Sequence, residues 1–177
     1  MDTSNIEVTR NGRTGVALIF VNREGENCIG ISAEANAELT PEKVRHKEAL
    51  IAKADYLLMQ LEVPIESVIL AAEIARSNQT QVILNPAPAL ESVPEKLLKC
   101  TDIITPNQTE AGILTGVCVN SEDDAERAAT LLHKHGIKIV IITMGSSGAY
   151  VSDRSGKRII SGQPVQAVDT TAAGDTF

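Results

Sequence analysis

An open α/β fold is what the sequence predicts: a parallel sheet with helices on both faces and a small β flap beside it. Three observations carry that expectation. From about Thr40 onward, helical and extended patterns alternate along the chain. The extended runs, such as QVIL at 81–84 and KIVIIT at 138–143, are apolar at consecutive positions, as strands covered on both faces are. The stretch before Thr40 is different in kind, with two β-rich runs around a turn. Residues 1–39 are therefore expected to form a partial lid region with a hairpin at about 14–32, and residues 40–177 an α/β core.

The elements follow in order. In TGVALIFVNREGENCIGIS, residues 14–32, the runs Val16 to Val21 and Asn27 to Ile31 flank the turn-prone Asn22, Arg23, Glu24 and Gly25. Thr40 is a helix N-cap with Pro41 at the first helical position, opening a helix to about Ala52. ADYLLMQLE is a short buried strand ending in Glu62, PIESVILAAEIARSN a helix by its apolar spacing, and QVILNPAP a strand with a turn behind it. EKLLKC is a short helix, DIITPN a short strand, and NQTEAGILTG a helix closed by Gly116. SEDDAERAATLLHKHG opens on a serine cap with acids in its first turn and ends at Gly136. KIVIITMGSSGA runs from a strand into a Gly and Ser loop, AYVSDRSGKRIISG is a hairpin around Ser155 and Gly156, and VQAVDT is a last extended segment.

Composition narrows the function. With 177 residues, 43% of them apolar, the chain is long enough for one sizeable core. A net charge of -7 with no Trp, two Phe and two Tyr argues against nucleic acid, which needs concentrated Lys and Arg or aromatic platforms. No stretch approaches the roughly 18 apolar residues of a membrane span, and no signal peptide is visible. The three cysteines, Cys28, Cys100 and Cys118, form no C-x-x-C pair, which suits a reducing cytoplasm. His133 and His135 sit at an expected helix end, where basic side chains complement the dipole.

In an open parallel sheet, ligands bind beyond the carboxyl ends of the strands. The residues found there are Glu62, Asn85 with Pro86, Asn107 with Glu110, Thr143 with Gly145 and Ser146, and Asp169 through Asp175. DTTAAGD is the strongest of these. Ala172, Ala173 and Gly174 let a ligand approach backbone amides at a helix N-terminus, where an anion is favoured. Asp175 beside a bound phosphate makes sense if an alcohol lies between them and loses its proton during attack. The alternative is a simple dipole-complementing acid. The Thr143, Gly145 and Ser146 loop fits a nucleotide or an ordinary strand turn. Asn107 and Glu110 fit Mg²⁺ and phosphate or a plain capping box.

The set NPAPA at 85–89, DIITPNQTEAGILTG at 102–116, ITMGSSGAYV at 142–151 and VDTTAAGDTF at 168–177 resembles the ribokinase branch of the ribokinase and sugar kinase superfamily. The likeness runs along essentially the whole chain in order, and the hairpin and the QLE at 60–62 share it. It implies a Rossmann-like core and ATP-dependent phosphorylation of the 5-hydroxyl of D-ribose, with Mg²⁺ carried by the nucleotide and K⁺ as activator. Asp175 then matches the catalytic base, which also meets the sugar, and Ala172, Ala173 and Gly174 the anion hole. Asn107, Glu110, Thr143, Gly145, Ser146 and Gly148 match the nucleotide side, with Glu110 tied indirectly to Mg²⁺. Asp169 and Thr171 match K⁺ ligands, Glu62 a sugar contact, and Val16 and Ala17 the lid strand over the sugar; such lids pair to make homodimers.

The family also carries a glycine-rich GGKGAN-type motif that grips the sugar, and it continues well past the catalytic acid. Neither feature is in these residues, so an internal segment, incomplete at both ends, is expected. Alternative readings are an inactive segment, a sensor that binds without turnover, or another sugar or nucleoside kinase of the same superfamily.

Overall fold

The computed structural model describes residues 2–10, 12–21 and 27–163. The expected turn at 22–25, the segment VQAVDT and the whole of VDTTAAGDTF fall on residues outside that set.

Two sheets are present among the described residues. The smaller is the expected hairpin, β1 (Val16–Val21) and β2 (Asn27–Ser32), paired antiparallel from Val16 with Ser32 to Val21 with Asn27. The larger has six strands in sequential order: β3 (Tyr56–Met59), β4 (Gln81–Leu84), β5 (Ile103–Ile104), β6 (Ile139–Thr143), β7 (Ala149–Asp153) and β8 (Gly156–Ile160). β3 to β6 are parallel. The predicted hairpin in the chain's last quarter joins the same sheet as antiparallel β7 and β8, so the sheet is mixed rather than parallel throughout.

The helices start where the caps predict. α1 (Pro41–His46) has Thr40 Oγ1 accepting from Lys43 N–H, but it breaks at Lys47 before the short α2 (Glu48–Ile51), so the expected single helix to Ala52 is two pieces. α3 (Ile65–Ser77) and α4 (Glu95–Cys100) each follow a proline. α5 (Gln108–Thr115) ends on Gly116 in the left-handed region, φ 73°. α6 (Glu122–His133) ends three residues before the expected Gly136, and His133 then clips its end to the sheet, Nδ1 lying 2.8 Å from the Ile137 carbonyl oxygen and Nε2 2.8 Å from Ser152 Oγ.

Right-handed crossovers between sequentially ordered parallel strands put their helices on one side. The packing agrees. Buried residues from every described α-helix form one cluster with Leu57, Met59, Val82, Leu84, Ile104, Val140 and Ile142. The alternate row, Leu58, Ile83, Ile103 and Ile139, is aligned strand to strand by the register but lies outside that cluster. The continuous apolar runs predict cover on both faces; the described helices supply one. Among the described residues β3 is the sheet edge rather than a buried strand, and Leu58 is 69% exposed.

Candidate active site

Parallel order places four carboxyl strand ends side by side. Three steps of ~4.8 Å separate the end of β3 from that of β6, so the row is about 14 Å wide. That width suits a small molecule with an extended polyphosphate.

On the β3 side, the segment that carries Glu62 is stitched to the turn after β4. Asn85 N–H donates to Met59 O at 2.9 Å, and Leu61 N–H donates to Ala87 O at 2.8 Å. Glu62 is exposed and lines two depressions. One, of about 660 Å³, runs beside β3 with Lys43, Lys47 and Gln60 on its wall. The other, of about 370 Å³, lies between Glu62, Pro88, Asn36 and Ile31. Ile31 belongs to the hairpin, opposite Ala17, so the flap's base shares a hollow with Glu62. Pro88 entered the sequence reading only as part of NPAPA, and Asn36 was not singled out; nothing in the local pattern of Asn36 distinguishes it from a loop residue.

The β5 and β6 ends meet directly. Thr143 N–H donates to Pro106 O at 3.0 Å, and Asn107 bridges to Thr143 as one more parallel pair. Asn107 is exposed and caps α5, its Oδ1 accepting from Glu110 N–H at 2.8 Å. Glu110 returns the contact, Oε2 accepting from Asn107 N–H at 2.8 Å. This is the capping box, and it commits one oxygen of a carboxylate that is only 7% exposed. Burial pushes the Glu110 pKa up, and the Asn107 amide only partly offsets that. A buried, cap-bound carboxylate is poorly placed for direct Mg²⁺ ligation; its fit to the metal is indirect, through the position it gives Asn107.

The loop after β6 turns through Gly145–Ser147 as one 3₁₀ turn. Gly145, at φ +57°, would point a Cβ into open space, and Ser146 beside it is exposed. Gly148 differs. A Cβ there would lie 2.0 Å from Ile160 O, so its glycine is dictated by the neighbouring backbone of β8. The fit to a nucleotide therefore rests on Asn107, Thr143, Gly145 and Ser146, which the fold brings to one ledge. Asp169, Thr171, Ala172, Ala173, Gly174 and Asp175 lie outside the described residues.

A family model described as pfkB family carbohydrate kinase matches residues 1–177. The chain belongs to the pfkB family. Among curated relatives, it is 50% identical over 177 residues to the ribokinase of Haemophilus influenzae, covering all of this chain and 58% of the relative. The corresponding figures for the Staphylococcus aureus ribokinase are 44% identity, 100% and 58%. The chain thus spans little more than half the length of these relatives. Among solved structures, it superposes on an Arabidopsis thaliana ribokinase complexed with ribose and ATP, with TM-score 0.83 and 32% identity over 94% of this chain and 54% of that one.

Proposed function

We propose that this pfkB chain carries the phosphoryl-transfer centre of a ribokinase-type enzyme, which moves the γ-phosphate of ATP to the 5-hydroxyl of D-ribose. The observation that supports this most is the row of strand ends. It has an acid and a flap base at one end and a nucleotide ledge at the other, in a chain similar along its whole length to ribokinases.

In this reading Glu62 and the lid strand at Val16 and Ala17 hold the sugar. Asn107, Thr143, Gly145 and Ser146 hold the triphosphate, with Glu110 fixing the cap from which Asn107 reaches it. Asp175 orients the sugar hydroxyl and takes its proton as attack proceeds, and the amides of Ala172, Ala173 and Gly174 spread the developing charge. Mg²⁺, when bound with the nucleotide, would neutralise charge on its phosphates. Asp169 and Thr171 would contribute ligands to a K⁺ site. The apolar lid strands pair in a homodimer, in keeping with a soluble cytoplasmic kinase.

Coupled measurement of ADP release tests the assignment. D-Ribose should stimulate release, and Asp175→Asn should lower it by ~10²–10⁴, the range for loss of a general base. Ribose-dependent turnover that survives Asp175→Asn would overturn the role of that residue. Tight ATP or ribose binding by calorimetry without any turnover would make the chain a binding module instead.

A further inference from the structure

Strands that are apolar on both faces leave their register weakly specified. β5 is the extreme case, since it consists of two identical residues, Ile103 and Ile104. A slip by one position exchanges one isoleucine for the other in the core, whereas in an alternating strand it would turn polar groups inward. β4 and β6, which carry VIL and IVII, discriminate little better. The candidate site nonetheless depends on this register, because Asn107 lies three residues past Ile104 and meets Thr143 only in the pairing observed.

One side chain at the opposite end of the strands ties all three together. Asp102 Oδ2 accepts from the Val82 N–H of β4 at 2.9 Å, and Oδ1 lies 2.6 Å from Lys138 Nζ, just ahead of β6. The backbone of Asp102 adds three bonds: its N–H donates to Val82 O at 2.9 Å, and its carbonyl accepts from Lys138 and Ile139 at 2.8 and 3.1 Å. The side chain is 14% exposed. A one-residue slip would take this shielded carboxylate off both partners, and a covered charge without partners costs far more than an exchange of isoleucines.

We propose that Asp102 is a positioning residue for the nucleotide side of the site. It sets the register of β5 between β4 and β6, and so fixes where Asn107 meets Thr143 about 15 Å further along. Only the functional consequence rests on the nucleotide reading; the register role stands apart from it.

Amide hydrogen exchange on the chain tests the register role. Thr105 N–H donates to Leu84 O and Thr143 N–H to Pro106 O, so both report the far end of β5. Asp102→Ala should cut their protection at least about tenfold relative to amides within α6, because the loss is local rather than global. Asp102→Asn keeps an acceptor for Val82 N–H and should lose less. Lys138→Met removes the ion pair alone and serves, with Asp102→Asn, if the alanine variant does not fold. Unchanged protection of Thr105 and Thr143 in these variants, or a fall matched by α6, overturns the proposal. In ATP titrations, Asp102→Ala should weaken nucleotide binding and leave D-ribose binding unaltered. If the parent chain binds no ATP, the nucleotide reading fails while the exchange result still decides the register role.

Discussion

Glu110 caps α5, and the proposed function gives the same residue a place on the nucleotide side of the site. Its carboxylate is buried against the Asn107 amide, and its pKa is raised. A raised carboxyl pKa means the folded state holds the proton more tightly than the unfolded one. Its contribution to stability is therefore greatest at low pH and declines as pH rises through the folded pKa. Glu110→Gln keeps a carbonyl for the Asn107 N–H and removes the buried charge, so Tm at neutral pH should hold or rise. If the negative charge acts on the phosphates, ATP turnover should fall in the same variant. Unfolding and kinetic measurements on one protein thus separate the two roles. The glycines of the β6 loop separate in the same way. Gly148→Ala should cost about 3 kcal/mol or more, since its Cβ would meet backbone rather than a movable side chain. Gly145→Ala should cost only ~1–2 kcal/mol, the penalty of a left-handed backbone, and any larger effect should appear in nucleotide affinity. Denaturant midpoints of the two variants check this.

At the scale of elements, caps were the most legible feature of the sequence. Thr40-Pro41, Asn107 with Glu110, Ser121 with Asp124, and Gly116 all act where their types predict, because capping depends on bonds within four residues. The length of α6 was less legible, since its end is set by His133 reaching Ser152, a contact across nineteen positions. The edge position of β3 was not legible either, because an apolar run looks the same at an edge and at a centre. For the site, the strand ends among the described residues were readable one at a time, and the fold alone brings Asn107 onto Thr143. The cap of α6 also carries a pH dependence. Asp124 is held down to about 2 by Arg127, the Asn120 amide and Ser121. A depressed carboxyl pKa stabilises the fold above the unfolded value of ~3.9, and that contribution is lost as pH falls through about 2. Asp153, also near 2 through Ser155 and Arg158, titrates in the same window, so the comparison must be by variant. Asp124→Asn should flatten the stability curve between pH 5 and 2 relative to the parent, and urea titrations at stepped pH would show it.

For the whole molecule, the apolar surface that remains exposed sets the expected behaviour in solution. Leu18, Phe20 and Ile31 of the hairpin are 60, 70 and 56% exposed, and Tyr56 and Leu58 of the sheet edge are 58 and 69% exposed. Scattered apolar residues on a surface mean little, but these fall into two contiguous groups on separate sheets. A two-stranded hairpin with apolar side chains on both faces is marginal in isolation and gains most by packing against another sheet. An edge strand invites further pairing. The chain should therefore associate in a concentration-dependent way, by two separable routes. Sedimentation velocity across a concentration series distinguishes them. Leu18→Ser with Phe20→Ser should reduce a discrete dimer if the lid faces pair, leaving larger species in place. Leu58→Lys should do the reverse, because a charge on an exposed edge face blocks open-ended association without touching the hairpin. Each burial of an exposed leucine or phenylalanine is worth about 1.5–3 kcal/mol, so loss of two from a lid interface should shift the dimer midpoint by two orders of magnitude or more. A midpoint that does not move in the hairpin variant would remove the lid from the interface.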